Sequence, residues 1–151
     1  MGGTIVGIFT ASTEGAPVVS RDEVQAVAGR GLEGDRYFDS NAGQHDPEDE
    51  ITLITAEGLA AAEAEHSLGL TPGEHRRNIV VEGLDLLALV GRTVRVGEVE
   101  VEVIADNPAC KYLQELTGKP VLRALRHSGG VRGAILTTGT VRVGDSVLPG
   151  S

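Results

Sequence analysis

One cysteine, no tryptophan, two tyrosines and two phenylalanines are the scarcities of this 151-residue sequence. A single thiol cannot close an intrachain disulfide, which fits a reducing compartment. So few aromatic rings give no stacking platform for single-stranded nucleic acid. A net charge of −9 leaves no basic surface to neutralise the phosphates of DNA or RNA, so no nucleic-acid partner is expected. Met1–Ile8 lacks both a basic leader and a sufficiently long apolar run, so neither a signal peptide nor a membrane span is expected, and a cytoplasmic location follows as the default. There is no C-x-x-C or H-x-x-x-H pair, and His45, His66, His75 and His127 stand far apart, which argues against a zinc site. No repeat, linker or break in composition divides the chain. Residues 1–151 are therefore expected to form one domain, large enough to bury a core without covalent staples.

Short strands separated by glycine-containing turns fill most of what remains. Thr4–Thr10, Val18–Val19, Val24–Val27, Ile51–Ile54, Ile79–Val81 and a Thr93–Val96/Val99–Ile104 hairpin turning at Gly97-Glu98 have strand composition, and Val99–Val103 alternates apolar and acidic residues with period two. A last strand pair, Val131–Leu136 with Val141–Leu148, is expected around a Thr-Gly turn. Thr55 is a good N-cap for an Ala/Glu-rich helix from Ala56 to about Ser67. A short apolar turn at Leu84–Leu89 and a helical piece at Val121–Arg126 complete the pattern, and the acidic Ser40–Glu50 stretch reads as a mobile loop without chemistry. Seven or eight short strands with a few short helices predict a mainly β fold, a closed or nearly closed β-barrel, since closure removes exposed edges.

The chain's chemistry centres on Asp106–Leu113, which carries the lone thiol. With Asn107 as N-cap and Pro108 in the first turn, Cys110 is expected in the first turn of a helix stopped by Gly118. A thiol there is expected to ionise below its usual ~8.5, helped by free amides and by Lys111. The bland alternative is a small buried hydrophobe. A Cys-His-Asn triple can be drawn from Cys110, His127 and Asn107 or Asn78, but any chain with one Cys and four His offers one. Charge is uneven: residues 1–70 carry −10 and residues 71–151 carry +1, so the second half is where an anion could sit. Eleven of the thirteen basic residues are Arg, whose planar fork suits phosphate or carboxylate, although high-GC codon usage also favours Arg. Arg76 and Arg77 precede the Ile79–Val81 strand and could form the mouth of an anion pocket or pair with the acidic half. A low-pKa thiol in an Arg-rich half supports two chemistries, a soft-metal ligand or a persulfide carrier.

Gly34-Asp35-Arg36, Ile51–Ile54, Arg76-Arg77-Asn78-Ile79-Val80-Val81-x-Gly83, Leu89-x-Gly91, Pro108-x-Cys110, Gly129-Gly130-Val131 and Val143-Gly144-Asp145, in this order and spacing, resemble the MOSC family, the domain at the C-terminus of molybdenum cofactor sulfurases. The resemblance runs from about Gly29 to Leu148. It implies a β-rich barrel, a molybdopterin-type cofactor, and a shared Cys, here Cys110, that ligates molybdenum or carries sulfur. It further implies that Arg76 and Asn78, at the places of the family's R-x-N motif, hold the anionic pterin, with reduction of N-hydroxylated compounds as the activity, and Arg36 and Arg77 are expected to bind the pterin phosphate with them. Many relatives have His where this chain has Tyr37, so a proton-transfer role for that His does not carry over to this chain. Neither the N-terminal domain of larger reductases nor the pyridoxal-phosphate desulfurase part of the sulfurases is expected with this domain, so an electron-donor or sulfur-donor protein is implied. Three functions stand at this point: a molybdenum-cofactor oxidoreductase, a sulfurtransferase working through a Cys110 persulfide, and a non-enzymatic binding module with an inert thiol.

Overall fold

The computed structural model describes residues 2–38 and 46–150. The expected loop from Ser40 lies outside the described residues as far as His45; from Asp46 the chain makes a 3-10 turn over Pro47–Asp49, with the Asp46 carboxylate accepting from the Glu48 amide at 3.1 Å. Among the described residues the strands are β1 (Gly3–Thr10), β2 (Val19–Ser20), β3 (Glu23–Val27), β4 (Gly31–Leu32), β5 (Ile51–Thr55), β6 (Ile79–Glu82), β7 (Thr93–Val96), β8 (Val99–Asp106), β9 (Val131–Ile135), β10 (Gly139–Arg142) and β11 (Ser146–Pro149). The helices are α1 (Ala56–His66), α2 (Lys111–Thr117) and α3 (Val121–Ala124).

Seven strands close a barrel in the order β11-β7-β8-β9-β5-β6-β1, with β1 pairing back onto β11 at Gly3↔Val147 and Thr4↔Ser146. β2 adds to the far end of β1, and β10-β3-β4 form a separate small sheet. Every barrel neighbour is antiparallel except β5 and β6, which run parallel.

The period-two pattern of β8 explains its place: Val99, Val101 and Val103 are fully buried inside the barrel while Glu100 and Glu102 stay outside. Each such valine is worth about 1.5–3 kcal/mol of burial, so register is well enforced. In β1 the alternation is broken by a bulge between Ile5 and Gly7, which lets Ile5 and Ile8 both point into the barrel core and turns Phe9 outward against Ile54 and Val80.

Outside the barrel, α1, α2 and α3 share a second apolar cluster of Ala62, Leu68, Ala109, Leu113, Val121, Ala124 and Leu125. Thr55 caps α1 as expected, its hydroxyl oxygen accepting from the Gly58 amide at 3.0 Å. Among the described residues no helix is long and apolar enough to cross a membrane.

One strand pairing differs from the sequence expectation. Val131–Leu136 and Val141–Leu148 are not partners: β9 lies between β8 and β5, and the second stretch is two strands. Gly144, at φ 95°, sits in an Arg142–Asp145 turn closed by the Asp145 amide on the Arg142 carbonyl, 3.0 Å, and the turn redirects the chain. β10 consequently pairs with β3, and β11 joins the barrel.

Candidate functional site around Cys110

After β8 leaves the barrel, Asn107–Ala109 forms a loop that delivers Cys110 to α2. Cys110 itself is the N-cap residue, with φ −109° and ψ 168°, so the expectation of a helix already begun at Pro108 with Asn107 as cap is corrected. The reason is that the backbone of Asn107 is committed elsewhere: its amide donates to the Gly130 carbonyl at 2.8 Å and its carbonyl accepts from Arg77 Nη2 at 2.6 Å. Helix begins only once the chain is free of these bonds. Ala109 is buried beneath α2, whereas Cys110 is exposed, which removes the buried-hydrophobe alternative. Gly118 ends the helix at φ 68°, as expected.

Consecutive residues Arg76, Arg77 and Asn78 point three ways. Arg77 is buried, and its guanidinium donates through Nε to the Gly129 carbonyl at 2.8 Å, through Nη2 to Asn107, and through Nη1 to the His75 carbonyl at 3.5 Å. It is a clip between the Cys110 loop and the turn before β9. Burial pulls its pKa down to about 10, with Cys110 nearby opposing the shift, so it remains a cation at neutral pH.

Asn78 is also buried, and its amide serves the sheet. Oδ1 accepts from the Thr52 amide and hydroxyl, both at 3.0 Å, and Nδ2 donates to the Phe9 carbonyl at 3.1 Å. Asn78 thereby ties β5, β6 and β1 together.

Arg76 differs from both. It adopts a left-handed backbone, φ 62°, donates through Nη1 to the Ala16 carbonyl at 2.8 Å, and leaves Nη2 buried with no partner. Burial, then the neighbouring Arg36 cation, lower its pKa, while Tyr112, Asp35 and Tyr37 oppose the shift.

Arg36 arrives from the loop after β4. Its guanidinium stacks over the Tyr37 ring at 4.6 Å from the centroid and reaches Asp35 Oδ1 at 3.4 Å, and that buried carboxylate also accepts from the Ala11 amide at 3.1 Å. Tyr37 thus supplies a flat seat for Arg36. Of the five residues singled out in the sequence, Cys110, Arg36, Arg76 and Arg77 lie within electrostatic reach of at least one another, while the side chain of Asn78 is turned into the scaffold. Three guanidinium groups with one close carboxylate make a locus that favours an anion.

Sequence reasoning passed over His75, Tyr112 and the backbone role of Gly129. A Cβ on Gly129 would meet Asn107 O and, at 2.8 Å, Pro108 Cα, so glycine is what lets the two loops touch. In the sequence the Gly129-Gly130 pair stands only as part of the family-like motif, with no contact to suggest this task. His75 had no local signal, because its task is to accept the Arg77 amide hydrogen on Nδ1 at 2.9 Å, a bond set by tertiary burial.

Burial, with Arg77 close by, lowers the His75 pKa from 6.5 to about 4. Between those values the unfolded chain takes up a proton on this ring and the folded chain does not. Stability is therefore expected to fall as pH drops from about 6.5, by about 3 kcal/mol for this one residue at pH 4. Denaturant unfolding of the wild type and of His75→Asn at pH 7 and pH 4.5 checks this. The variant, which keeps an acceptor for Arg77 but not the titrating ring, should lose less stability between the two pH values.

A closed seven-strand barrel with its single thiol exposed beside an arginine cluster defines a class of small β-barrel domain. Residues 40–148 match the MOSC domain, and the chain belongs to that family, which is associated with the molybdenum cofactor. Among solved structures, the YuaD protein of Bacillus subtilis is similar with a TM-score of 0.81 at 19% identity, covering 97% of this chain and 94% of that one. YiiM from Escherichia coli is similar with a TM-score of 0.73 at 19% identity, covering 100% of this chain and 70% of that one. YiiM from Geobacillus stearothermophilus gives 0.68 at 17% identity, covering 99% and 75%. At these identities the likeness concerns the fold. No protein of curated function matches the sequence significantly.

Proposed function

We propose that the chain binds a molybdopterin-type cofactor, with Cys110 as the protein ligand to molybdenum and Arg76 and Arg36 holding the anionic pterin phosphate. The observation that carries this reading is Arg76 Nη2, a buried cationic donor without a partner. Leaving such a group unpaired costs about 1–3 kcal/mol or more, and a phosphate oxygen would satisfy it. Arg77 and Asn78 act differently in this reading: their side chains are spent on backbone and sheet, so they position the site instead of touching the ligand. Cys110 supplies an exposed sulfur donor that could ligate the metal, and among the described residues no cluster of three or more His, Cys, Asp or Glu competes for one.

When bound, the group would supply the two-electron redox chemistry needed to reduce N-hydroxylated compounds, with electrons from a separate donor protein. The chain's own residues then bind and orient: Arg76 and Arg36 neutralise the phosphate, and the Arg77 clip fixes where Cys110 stands.

The exposure of Cys110 supports a second reading, sulfur transfer. Here the Cys110 thiolate attacks the outer sulfur of a donor protein's persulfide; a Cys110 persulfide forms and the donor thiolate leaves. Metal analysis after gentle purification separates the two. Molybdenum retained by the wild type and lost in Cys110→Ser is the expected result. Cyanide-labile sulfur on metal-free wild type, absent from Cys110→Ser, would favour transfer instead. Neither molybdenum nor labile sulfur on protein isolated from a molybdenum-replete host would overturn both.

A further inference from the structure

A second cavity, of about 360 Å³, opens on the outer face of the barrel between β1, β6, α1 and the turn at Leu70–Gly73. Val6, Phe9, Leu59, Leu70, Pro72 and Val80 give it apolar walls. The β1 bulge makes this space: by sending Ile5 and Ile8 inward it presents Val6, Gly7 and Phe9 on the outer side, and Gly7 has no side chain to fill the floor. Its size lies at the lower end of small-molecule sites.

Two polar groups in the lining restrict what could occupy it. His75 packs edge-on to Phe9, with ring centroids 5.5 Å apart. Its Nδ1 accepts the Arg77 amide hydrogen, so in the neutral ring the proton resides on Nε2, and among the described residues no protein oxygen or nitrogen accepts it. The cavity therefore holds one unspent donor. Glu63 is the second group: its carboxylate accepts from the amides of Gly69 at 2.8 Å and Leu70 at 3.2 Å, which fixes a negative charge in the lining. Lys119 offsets part of that charge, and an anion would in addition lose its hydration against the apolar walls, so none is favoured there.

We propose that this cavity is a binding site for small uncharged apolar molecules carrying one hydrogen-bond acceptor, such as an aryl ketone, whose carbonyl takes the His75 Nε2–H while the ring lies against Phe9, Leu59 and Val80. The site is separate from the Cys110–Arg76 locus, and the inference does not rest on the cofactor reading.

Three probes of matched shape test it: acetophenone, isopropylbenzene and benzoate, titrated into ¹⁵N-labelled protein with the Val80 amide and the His75 ring nitrogens as reporters. Acetophenone is expected to bind saturably with a roughly millimolar Kd. Isopropylbenzene, which lacks the acceptor, is the control whose affinity should not depend on His75, and benzoate should not bind. Ala60 is an exposed residue of α1 at the cavity wall, so Ala60→Phe fills the space without touching the barrel core and should abolish binding. In His75→Asn, which keeps the acceptor for Arg77 and removes Nε2–H, acetophenone should bind roughly three- to tenfold more weakly than to the wild type, the worth of one neutral hydrogen bond, while isopropylbenzene should change by less than about twofold. Failure of acetophenone to saturate in the wild type would overturn the site. So would binding that survives Ala60→Phe, or an acetophenone affinity left unchanged in folded His75→Asn.

Discussion

Arg77→Met should destabilise the protein by about 3–5 kcal/mol, because it strips the charged donor from the buried carbonyl of Gly129 and the part-buried one of Asn107 while keeping most of the side chain's length. Urea unfolding would show the loss as a lower midpoint at unchanged slope. Arg77→Lys should recover only part of it, since one ammonium cannot serve carbonyls held apart by the width of a guanidinium fork. The same substitution separates two roles for this residue. Were Arg77 a phosphate ligand, its loss would weaken cofactor retention and leave folding stability nearly intact. As a clip, it should lower both together, and exchange of the Asn107 amide, bonded to Gly130, should speed up in Arg77→Met.

Gly130→Ala should be at least as damaging, at about 4 kcal/mol or more. The residue sits at φ 92°, and a Cβ built there would run into the Leu53 carbonyl oxygen and come within 3.0 Å of Ile54 Cα. Both obstacles are backbone of β5, at the barrel wall, and cannot swing aside. Gly118 provides the control: it is also left-handed, at φ 68°, but a Cβ there meets nothing within 4 Å, so Gly118→Ala should cost only about 1 kcal/mol. In thermal melts the first substitution should lower Tm by roughly 10 °C or more and the second by a few degrees.

Much of the barrel could be read from the chain because its strands carry their own instructions. Val99–Val103 alternates, Thr55 and Gly118 bracket helices by side-chain chemistry and backbone freedom, and all three hold in the structure. Strand partners were less legible. Gly144-Asp145-Ser146 marks a turn within Val141–Leu148, but nothing there announces that the two arms join different sheets, because strand partners are chosen by distant segments. The site was legible by residue type and not by direction. Arg76, Arg77 and Asn78 look like one polar patch in sequence, yet the left-handed turn at Arg76 and the burial of its two successors give them unrelated partners. His75 was illegible altogether, since a neutral buried imidazole among charged neighbours leaves no periodic trace.

The barrel's strand count has a consequence for where chemistry can be placed. A ring of seven cannot alternate up and down all the way round; somewhere two adjacent members must point the same way, and here they are β5 and β6. A hairpin cannot join such a pair, so the chain must leave the wall, travel its whole height and come back. That detour is residues 56–78, and its return leg is His75-Arg76-Arg77-Asn78. An even-numbered ring could have been stitched with tight turns throughout and would have had no such excursion; the odd number obliges this protein to carry a long outside strap, and the strap brings the arginines to the thiol.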